Sequence, residues 1–342
     1  MKLRNKYAVG VHITFYEIKM IQEYIDSCIQ ALNEVENKEN VYFHFCFNIS
    51  EYFEDIDTKV ISISDIKQQF NNEIQRLIDV YKDHDYYTSK NNIIVETKDN
   101  NDSLYNIASY RRDLNYNWCD KVDFVLWGET DSLWPKETFT TIEMVNEYSE
   151  SQNINRYVLT FAYRKMWDTS WDPLTHVDFE QCEFIDTDEW SLNALESPKS
   201  YMTLQQMNEL NAKSEELDIR ILNKPKFDGS CLVISSDLIK AGVNIPHSLL
   251  CCGEDTSFAD MAKLIMGDTY VQFVIKNILR VHNRRHPQKR LYVKNENNPR
   301  GFCGNAKGNW WKTLEGMSKS NLSKLRYNQD TFFTFKDVLN SK

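Results

Sequence analysis

Residues 122–135 have the sequence Val122-Asp-Phe-Val-Leu-Trp-Gly-Glu-Thr-Asp-Ser-Leu-Trp-Pro135, in which an apolar run is followed by two acids and a proline. The run from Val122 to Leu126 has the length and composition of a buried strand. Glu129 and Asp131 then place two carboxylates one residue apart at its end. Such a pair can hold a hard divalent cation against nucleotide phosphates, because the cation prefers oxygen ligands. Acidic turn residues after a strand are also commonly just solvated, so this stretch alone leaves both interpretations open.

The composition is that of an ordinary globular protein. The chain has 342 residues, of which 42% are hydrophobic, enough for one large domain or two small ones. No apolar run approaches the ~20 residues that span a bilayer, and the N-terminus lacks the apolar segment of a secretory signal. We therefore expect a cytoplasmic protein without a transmembrane segment, for which peripheral membrane contact stays open. The eight cysteines contain no C-x-x-C pair, which favours reduced core thiols over disulfides or a zinc site.

The net charge of −10 is unevenly distributed. Residues 276–342 contain 15 Lys and Arg against 4 Asp and Glu, a charge of +11, so residues 1–275 carry −21. Such a split indicates a polyanionic partner, such as nucleic acid, an anionic membrane surface or a diphosphate. It is equally typical of a basic segment that packs on the protein's own acidic body.

Strand patterns alternate with helix patterns along the first 126 residues. Strands are predicted at 7–14, 41–47, 60–63, 92–96 and 122–126, and helices at 18–32, 66–81 and 105–112. This alternation predicts an α/β fold with a mostly parallel sheet covered on both faces. Ligands of such sheets lie beyond the carboxyl ends of the strands. Residues 14–17, Asn48 and the Glu129–Asp131 pair are therefore expected to meet in one crevice.

The second half offers a further acidic cluster and a histidine. Gly253, Glu254 and Asp255 stand where a helix begins, and His282 ends a predicted strand. Acids in a first turn also stabilise a helix through its dipole, and a histidine at a strand end is often structural. Residues 167–190 are rich in aromatics and acids, a composition that suits a carbohydrate or an irregular, partly buried hairpin.

Taken in order, these motifs resemble the glycosyltransferases of the GT-A fold, particularly the large inverting family 2. The resemblance covers about residues 7–286. Two departures are Glu129, where the metal motif usually has Asp, and Asn48, where an acid often follows the second strand. The matching segments are Ile13-Thr-Phe-Tyr-Glu17 with Ser27, Ala108-Ser-Tyr-Arg-Arg-Asp113, Glu129-Thr-Asp131 with Pro135, Asp228-Gly-Ser230, Gly253-Glu-Asp255 and His282.

The resemblance implies a GT-A, Rossmann-like domain with helices on both faces of the sheet. It divides the chain into a nucleotide-sugar-binding half at 1–135, an acceptor-binding and catalytic half at 136–286, and a basic, aromatic C-terminal extension at 287–342. The implied activity is metal-dependent transfer of a hexose or pentose, with inversion, from a nucleotide-diphosphate sugar to an acceptor hydroxyl. A UDP-sugar is the expected donor, and a saccharide or glycoconjugate the expected acceptor.

The resemblance also implies roles for particular residues. Asp131, assisted by Glu129 and His282, is expected to hold Mn²⁺ or Mg²⁺. Asp255 is expected to deprotonate the acceptor and Glu254 to bind it. The residues expected to contact the nucleotide sugar are Thr14, Phe15, Glu17, Asn48, Arg112 and Glu129, with Arg280, Arg284 and Arg285 as further candidates for the diphosphate.

Two alternatives stay open at this level. The C-terminal extension interleaves basic residues with Trp310, Trp311 and Phe332, a pattern that can bind nucleic acid, so the acceptor could be a hydroxylated base in DNA. The same extension could contact a membrane surface or pack on the protein itself. The second alternative is a protein of another class, a sugar- or nucleotide-binding protein without catalysis. Glu129 in place of Asp favours this interpretation, whereas the presence of Asp131, Asp255 and His282 argues against it.

Overall fold

The computed structural model describes residues 1–49, 62–81, 91–99, 105–163, 169–179, 202–282, 308–327, 329 and 331–341. The strands in these ranges are β1 (Tyr7–Thr14), β2 (Val41–Asn48), β3 (Ile93–Lys98), β4 (Phe124–Gly128), β5 (Ser132–Leu133), β6 (Val158–Tyr163), β7 (Ile219–Leu222), β8 (Leu232–Ser235) and β9 (Gln272–His282). The α-helices are α1 (Ile21–Asn33), α2 (Ile63–Asp79), α3 (Ile107–Trp118), α4 (Thr138–Ser151), α5 (Leu204–Asn211), α6 (Ser236–Lys240), α7 (Glu254–Met266), α8 (Gly308–Arg326) and α9 (Phe335–Asn340).

The strands form a sheet in the order β3-β2-β1-β4-β8-β6-β9-β5, with β7 paired to β9. The pairings show that β1, β2, β3, β4, β6 and β9 run in one direction, whereas β5, β7 and β8 run against them. The predicted α/β fold with a mostly parallel sheet is therefore confirmed. The sheet continues from β4 through β8 into β6, so it crosses residue 135. The division of labour between residues 1–135 and 136–286 stays a prediction.

Alternate strand residues point to opposite faces of the sheet, and each face packs against helices. Val9 and Val11 of β1 belong to the larger core with the apolar stripes of α1 and α2. Ala8 of β1 and Val125 of β4 belong to a second core, which contains the buried residues of α3, α6 and α7. All eight residues of β1 are buried, which fixes this strand at the centre of the molecule. None of the six cysteines in the described ranges forms a disulfide.

One predicted strand is wrong where the structure describes it. Ile63 was expected to end a short strand at 60–63, but it is the first residue of α2. Ser62 caps this helix, since its Oγ accepts a hydrogen bond from Asp65 N at 3.1 Å. The cap satisfies a backbone donor that would otherwise lack a partner, and this favours helix over strand from Ile63 onward. Residues 60 and 61 lie outside the described residues.

The described part of the C-terminal extension packs against the chain itself. Ser318 Oγ of α8 accepts hydrogen bonds from Leu250 N at 3.2 Å and Cys251 N at 3.1 Å. Arg326, near the end of α8, forms an ion pair of 2.7 Å with Asp260 of α7. Helix α8 of the extension therefore packs on the protein itself, one of the possibilities left open by the sequence. Arg284, Arg285 and the aromatic segment 180–190 lie outside the described residues.

Within the described ranges, every helix is either too short or too polar to cross a bilayer.

Candidate active site

Three strand ends meet at one edge of the sheet: the carboxyl ends of β4 and β9 and the start of β8. A crevice shared by Glu129 and Asp131 with residues 14–17 and Asn48 stays a prediction. Because β4 and β9 run in the same direction, their carboxyl ends bring Glu129 and His282 to one edge of the sheet. Strand β8 is antiparallel to its neighbours, so the residues before it lie at that edge too. This places Asp228 and Ser230 beside His282. The topology thus assembles groups that are more than 150 residues apart in sequence.

The turn after β4 directs both acids to the same side. Ser132 N donates a hydrogen bond to Glu129 O at 2.9 Å, which closes a tight turn around Asp131. The next residues are anchored to α1, since Trp134 N donates to Ser27 Oγ at 3.2 Å. Gly128 lets α1 approach, because a Cβ there would lie 2.4 Å from Tyr24 Oη. Ser27, through its side chain, and Gly128, through its lack of one, thus help to set the position of the acidic pair.

Glu129, Asp131 and His282 form a compact donor cluster. Their ligand atoms all lie within 4.8 Å of one another. His282 Nε2 is 3.2 Å from Glu129 Oε2 and 3.4 Å from Asp131 Oδ1. Two carboxylates and an imidazole nitrogen are a donor set suited to a divalent cation such as Mn²⁺. The three residues predicted as metal ligands are therefore brought together.

Arg111 of α3 joins this cluster to the start of α7. Its guanidinium donates to Glu129 Oε1 at 2.7 Å and to Glu254 Oε1 at 2.6 Å, and it is 1% exposed. Burial raises the pKa of Glu129, but Arg111 and His282 outweigh this and lower it to about 2. Burial dominates at Glu254 and raises its pKa to about 7 in spite of Arg111. One buried cation thus holds a fully ionised acid on one side and a readily protonated acid on the other.

Gly229 provides the space for Arg111. Its carbonyl oxygen accepts a hydrogen bond from Arg111 Nη2 at 2.7 Å, and a Cβ on Gly229 would lie 2.0 Å from Arg111 Nη1. We expect Gly229→Ala to displace the guanidinium and lower the free energy of unfolding by about 1–3 kcal/mol, the usual cost of overpacking. Urea denaturation measures this loss.

Gly316→Ala is the matched control for Gly229→Ala. Gly316 lies in α8, and a Cβ added to it meets nothing within 4 Å. Alanine there should leave stability unchanged or raise it slightly, by about 0.5–1 kcal/mol. Equal effects of the two substitutions would contradict the tight contact at Gly229.

The start of α7 presents Asp255. Gly253 has a φ of +90°, a conformation that favours glycine, and it lets the chain turn into the helix. Asp255 follows Glu254 in the first turn, is half-buried, and accepts a hydrogen bond from Thr256 N at 2.6 Å. Burial, followed by the negative charge of Asp228, raises the pKa of Asp255. A carboxylate with a raised pKa is a stronger proton acceptor than a solvated one.

The residues predicted to hold the nucleotide lie around the ends of β1 and β2. Thr14 pairs with Asn48 in the parallel register. Asn48 is fully buried and donates to Tyr105 O at 2.9 Å, while its Oδ1 has no hydrogen bond to any described residue. Glu17 accepts from Thr14 N at 3.0 Å and so caps the following 3-10 helix, Phe15–Met20. Phe15 is 1% exposed and packs in the larger core.

Two of the four arginines predicted to contact the diphosphate, Arg112 and Arg280, lie in the described ranges, and both have other partners. Arg112 donates to Pro246 O at 3.1 Å, away from the acidic cluster. Arg280 is 1% exposed, forms an ion pair with Asp228, and stacks 3.8 Å from the centre of the Tyr163 ring. A contact of either residue with a diphosphate stays a prediction.

Arg111 was not selected from the sequence, although its spacing contained a usable pattern. Arg111, Leu114 and Trp118 share one face of α3 and are all buried. Arg112 is instead spaced four residues from Tyr116, which is 77% exposed. An arginine on the buried stripe of a helix needs acidic partners, so its neighbours in the site could have been sought.

Two solved structures show a distant likeness to this chain. No protein-family model matches the chain, and no curated protein matches its sequence. In structure it is similar to a crystal structure of S. aureus TarS 1-349, with a TM-score of 0.40 and 12% identity over 81% of this chain and 60% of that one. It is also similar to the apo structure of the bifunctional glycosyltransferase WbbM, with a TM-score of 0.29 and 9% identity over 81% of this chain and 38% of that one. The chain therefore spans only part of either protein, and neither likeness supports an inference about activity.

Proposed function

We propose that this chain is a glycosyltransferase that moves a sugar from a nucleotide-diphosphate sugar, of which a UDP-sugar is the expected one, to an acceptor hydroxyl with inversion. One observation carries the proposal. A cluster suited to a divalent cation lies beside the first turn of α7, because Arg111 bonds both Glu129 of the cluster and Glu254, and the half-buried Asp255 follows Glu254. This arrangement separates a site for a leaving diphosphate from a site for proton removal, as sugar transfer requires.

On the donor side, Asp131, Glu129 and His282 would hold Mn²⁺ or Mg²⁺. When bound, such an ion supplies positive charge that stabilises the departing diphosphate. Asn48 Oδ1, which has no hydrogen bond to a described residue, would accept one from the base or ribose. A buried amide oxygen without a partner costs about 1–3 kcal/mol, which a ligand donor would recover.

On the acceptor side, Asp255 would remove the proton of the attacking hydroxyl. The acceptor oxygen forms a bond to the anomeric carbon while the bond from that carbon to the phosphate oxygen breaks. The electron pair of the broken bond leaves with the diphosphate, and the proton passes to Asp255. Attack from the face opposite the leaving group inverts the anomeric centre. Saccharides and glycoconjugates are the proposed acceptors, and contact of Glu254 with them stays a prediction.

The proposal is tested by thermal unfolding with a panel of nucleotide sugars, each with and without Mn²⁺. We expect one donor to stabilise the protein only with the metal, by about 2.7 kcal/mol at a hundredfold excess over its Kd. Asp131→Asn should abolish this stabilisation, since it replaces a charged ligand with a neutral amide. Mn²⁺-dependent hydrolysis of the same donor then distinguishes an enzyme from a binding protein.

The charge-matched control is Asp120→Asn. Asp120 is exposed at the end of α3. The Asp120→Asn substitution removes one negative charge without touching the Glu129, Asp131 and His282 cluster, so metal-dependent stabilisation should persist. If no nucleotide sugar gives metal-dependent stabilisation of the wild type, the proposed function is wrong.

A further inference from the structure

We propose that Ser230, together with Asp228, keeps a proton on Nδ1 of His282, so that Nε2 is the nitrogen left to bind a metal. The metal-binding consequence rests on the proposed function, whereas the position of the proton does not. A histidine ligates through one nitrogen only if the other carries the proton. Partners that fix this choice affect metal affinity although they never touch the metal.

The partners of the Ser230 hydroxyl determine whether it donates or accepts in each of its hydrogen bonds. Its Oγ lies 2.6 Å from Asp228 Oδ1 and also contacts Nη1 of Arg280. A carboxylate can only accept and a guanidinium can only donate. The single hydroxyl proton of Ser230 therefore goes to Asp228, and Arg280 donates to the Ser230 oxygen.

The third contact of Ser230 Oγ is His282 Nδ1, at 3.0 Å. Because the hydroxyl proton is already given to Asp228, Ser230 can only accept here, and Nδ1 must donate. Asp228 Oδ2, 3.4 Å from the same nitrogen, is a second acceptor on this side. Both neighbours of Nδ1 therefore favour the form that carries a proton there.

The opposite nitrogen faces the metal ligands. His282 Nε2 lies 3.2 Å from Glu129 Oε2 and 3.4 Å from Asp131 Oδ1. If the only ring proton were on Nε2, it would hydrogen-bond to these carboxylates and block the cation. With Nδ1 donating to Ser230, Nε2 is the ring nitrogen that faces Glu129 and Asp131 and would ligate a cation. Ser230 is thus a positioning residue for His282.

Arg280 contacts both Asp228 and Ser230 and so helps to hold them beside His282. Its buried guanidinium pairs with Asp228 and donates to Ser132 Oγ at 2.9 Å. Ser132 and Ser230 are both buried hydroxyls on the same guanidinium. Ser132 pairs with His282 through the backbones of β5 and β9, whereas the hydroxyl contact with the His282 ring is that of Ser230. Ser132→Ala is therefore a matched control for Ser230→Ala.

The first measurement uses the metal-free protein, so it does not depend on the proposed function. Nitrogen NMR of protein labelled at histidine, recorded well above the ordinary imidazole pKa of about 6.5, shows which ring nitrogens carry protons. His282→Gln identifies the resonance by its loss. We expect a proton on Nδ1 of His282. A bare Nδ1 would overturn the inference.

The second measurement is the affinity for Mn²⁺ itself, from the electron paramagnetic resonance of the unbound ion. Ser230→Ala should weaken it by about 10- to 100-fold, the usual effect of removing an outer partner of a metal ligand. Ser132→Ala should stay near wild type, and thermal unfolding confirms that both variants are folded. Unchanged affinity in Ser230→Ala would also overturn the inference. A wild type with a protonated Nδ1 that binds no Mn²⁺ would contradict the metal site and leave the proton assignment standing.

Discussion

Replacing Asp255 by asparagine is expected to lower the turnover number for sugar transfer by about 10²- to 10⁴-fold, the usual contribution of a positioned general base. Asparagine keeps the shape of the side chain and can still accept from Thr256 N, but it cannot take the proton of the acceptor. Metal-dependent binding of the donor should persist, because the Asp131 cluster is unchanged. Steady-state kinetics with the identified donor, together with donor binding, measures both effects.

Asp260→Asn is the control on the same helix. Asp260 lies in α7 and pairs with Arg326 at the surface, so this variant removes an acid without touching the site. Its turnover should stay close to that of wild type. Near-normal turnover in Asp255→Asn would remove the assignment of this residue as the base.

Replacing Arg111 by methionine is expected to cost about 3–5 kcal/mol of unfolding free energy near neutral pH, the usual result of removing one partner from a buried ion pair. Glu129 and Glu254 would then lose the cation that both contact. Burial already raises the pKa of Glu254 to about 7, and loss of Arg111 raises it further. Urea denaturation measures the cost.

The pH dependence of this loss follows from the raised pKa. A carboxyl whose pKa is higher in the folded than in the unfolded protein costs nothing while both states are protonated. The cost grows as the pH rises from the unfolded value through the folded one. The deficit of Arg111→Met should therefore be larger at about pH 8 than at about pH 5. A deficit independent of pH would show that lost packing, rather than unpaired acids, is responsible.

Arg112→Met is the matched control, one residue along the same helix. Arg112 contacts the carbonyl of Pro246 and the hydroxyl of Ser109, at 3.1 and 3.5 Å, and forms no ion pair with a carboxylate of the described residues. Its loss should cost about 1 kcal/mol, the net value of an ordinary hydrogen bond. A cost equal to that of Arg111→Met would argue against the special position of Arg111.

The sequence was sufficient for the parallel part of the fold. Apolar runs at 7–14 and 41–47 became β1 and β2 almost residue for residue, because a strand buried on both faces needs a continuous apolar run. The acids after β4 were also located, since residues that follow parallel strands share one edge. The short strands β5 and β7 were not predicted, because two and four residues carry no readable alternation.

The candidate site was only partly accessible from sequence. Glu129, Asp131 and His282 were grouped correctly in space, through their motif order and strand ends. Arg111 and Arg112 are adjacent and chemically identical. The spacing of apolar residues favours Arg111 for the buried side of α3, but only the tertiary structure shows that it meets Glu129 and Glu254. The proposed roles of Glu129, Asp131 and His282 in metal binding remain predictions.

Local chemistry along the chain therefore determined which segments are strands, where they end, and which acids follow them. The tertiary structure decided which side chains share a buried space: β8 runs against its neighbours, and this brings Asp228 and Ser230 to His282. The physical reason is that the buried His282 ring has its hydrogen-bond partners Ser230 and Asp228 more than fifty residues away in sequence. Tertiary packing determines which distant residues become neighbours, and local sequence patterns do not show this.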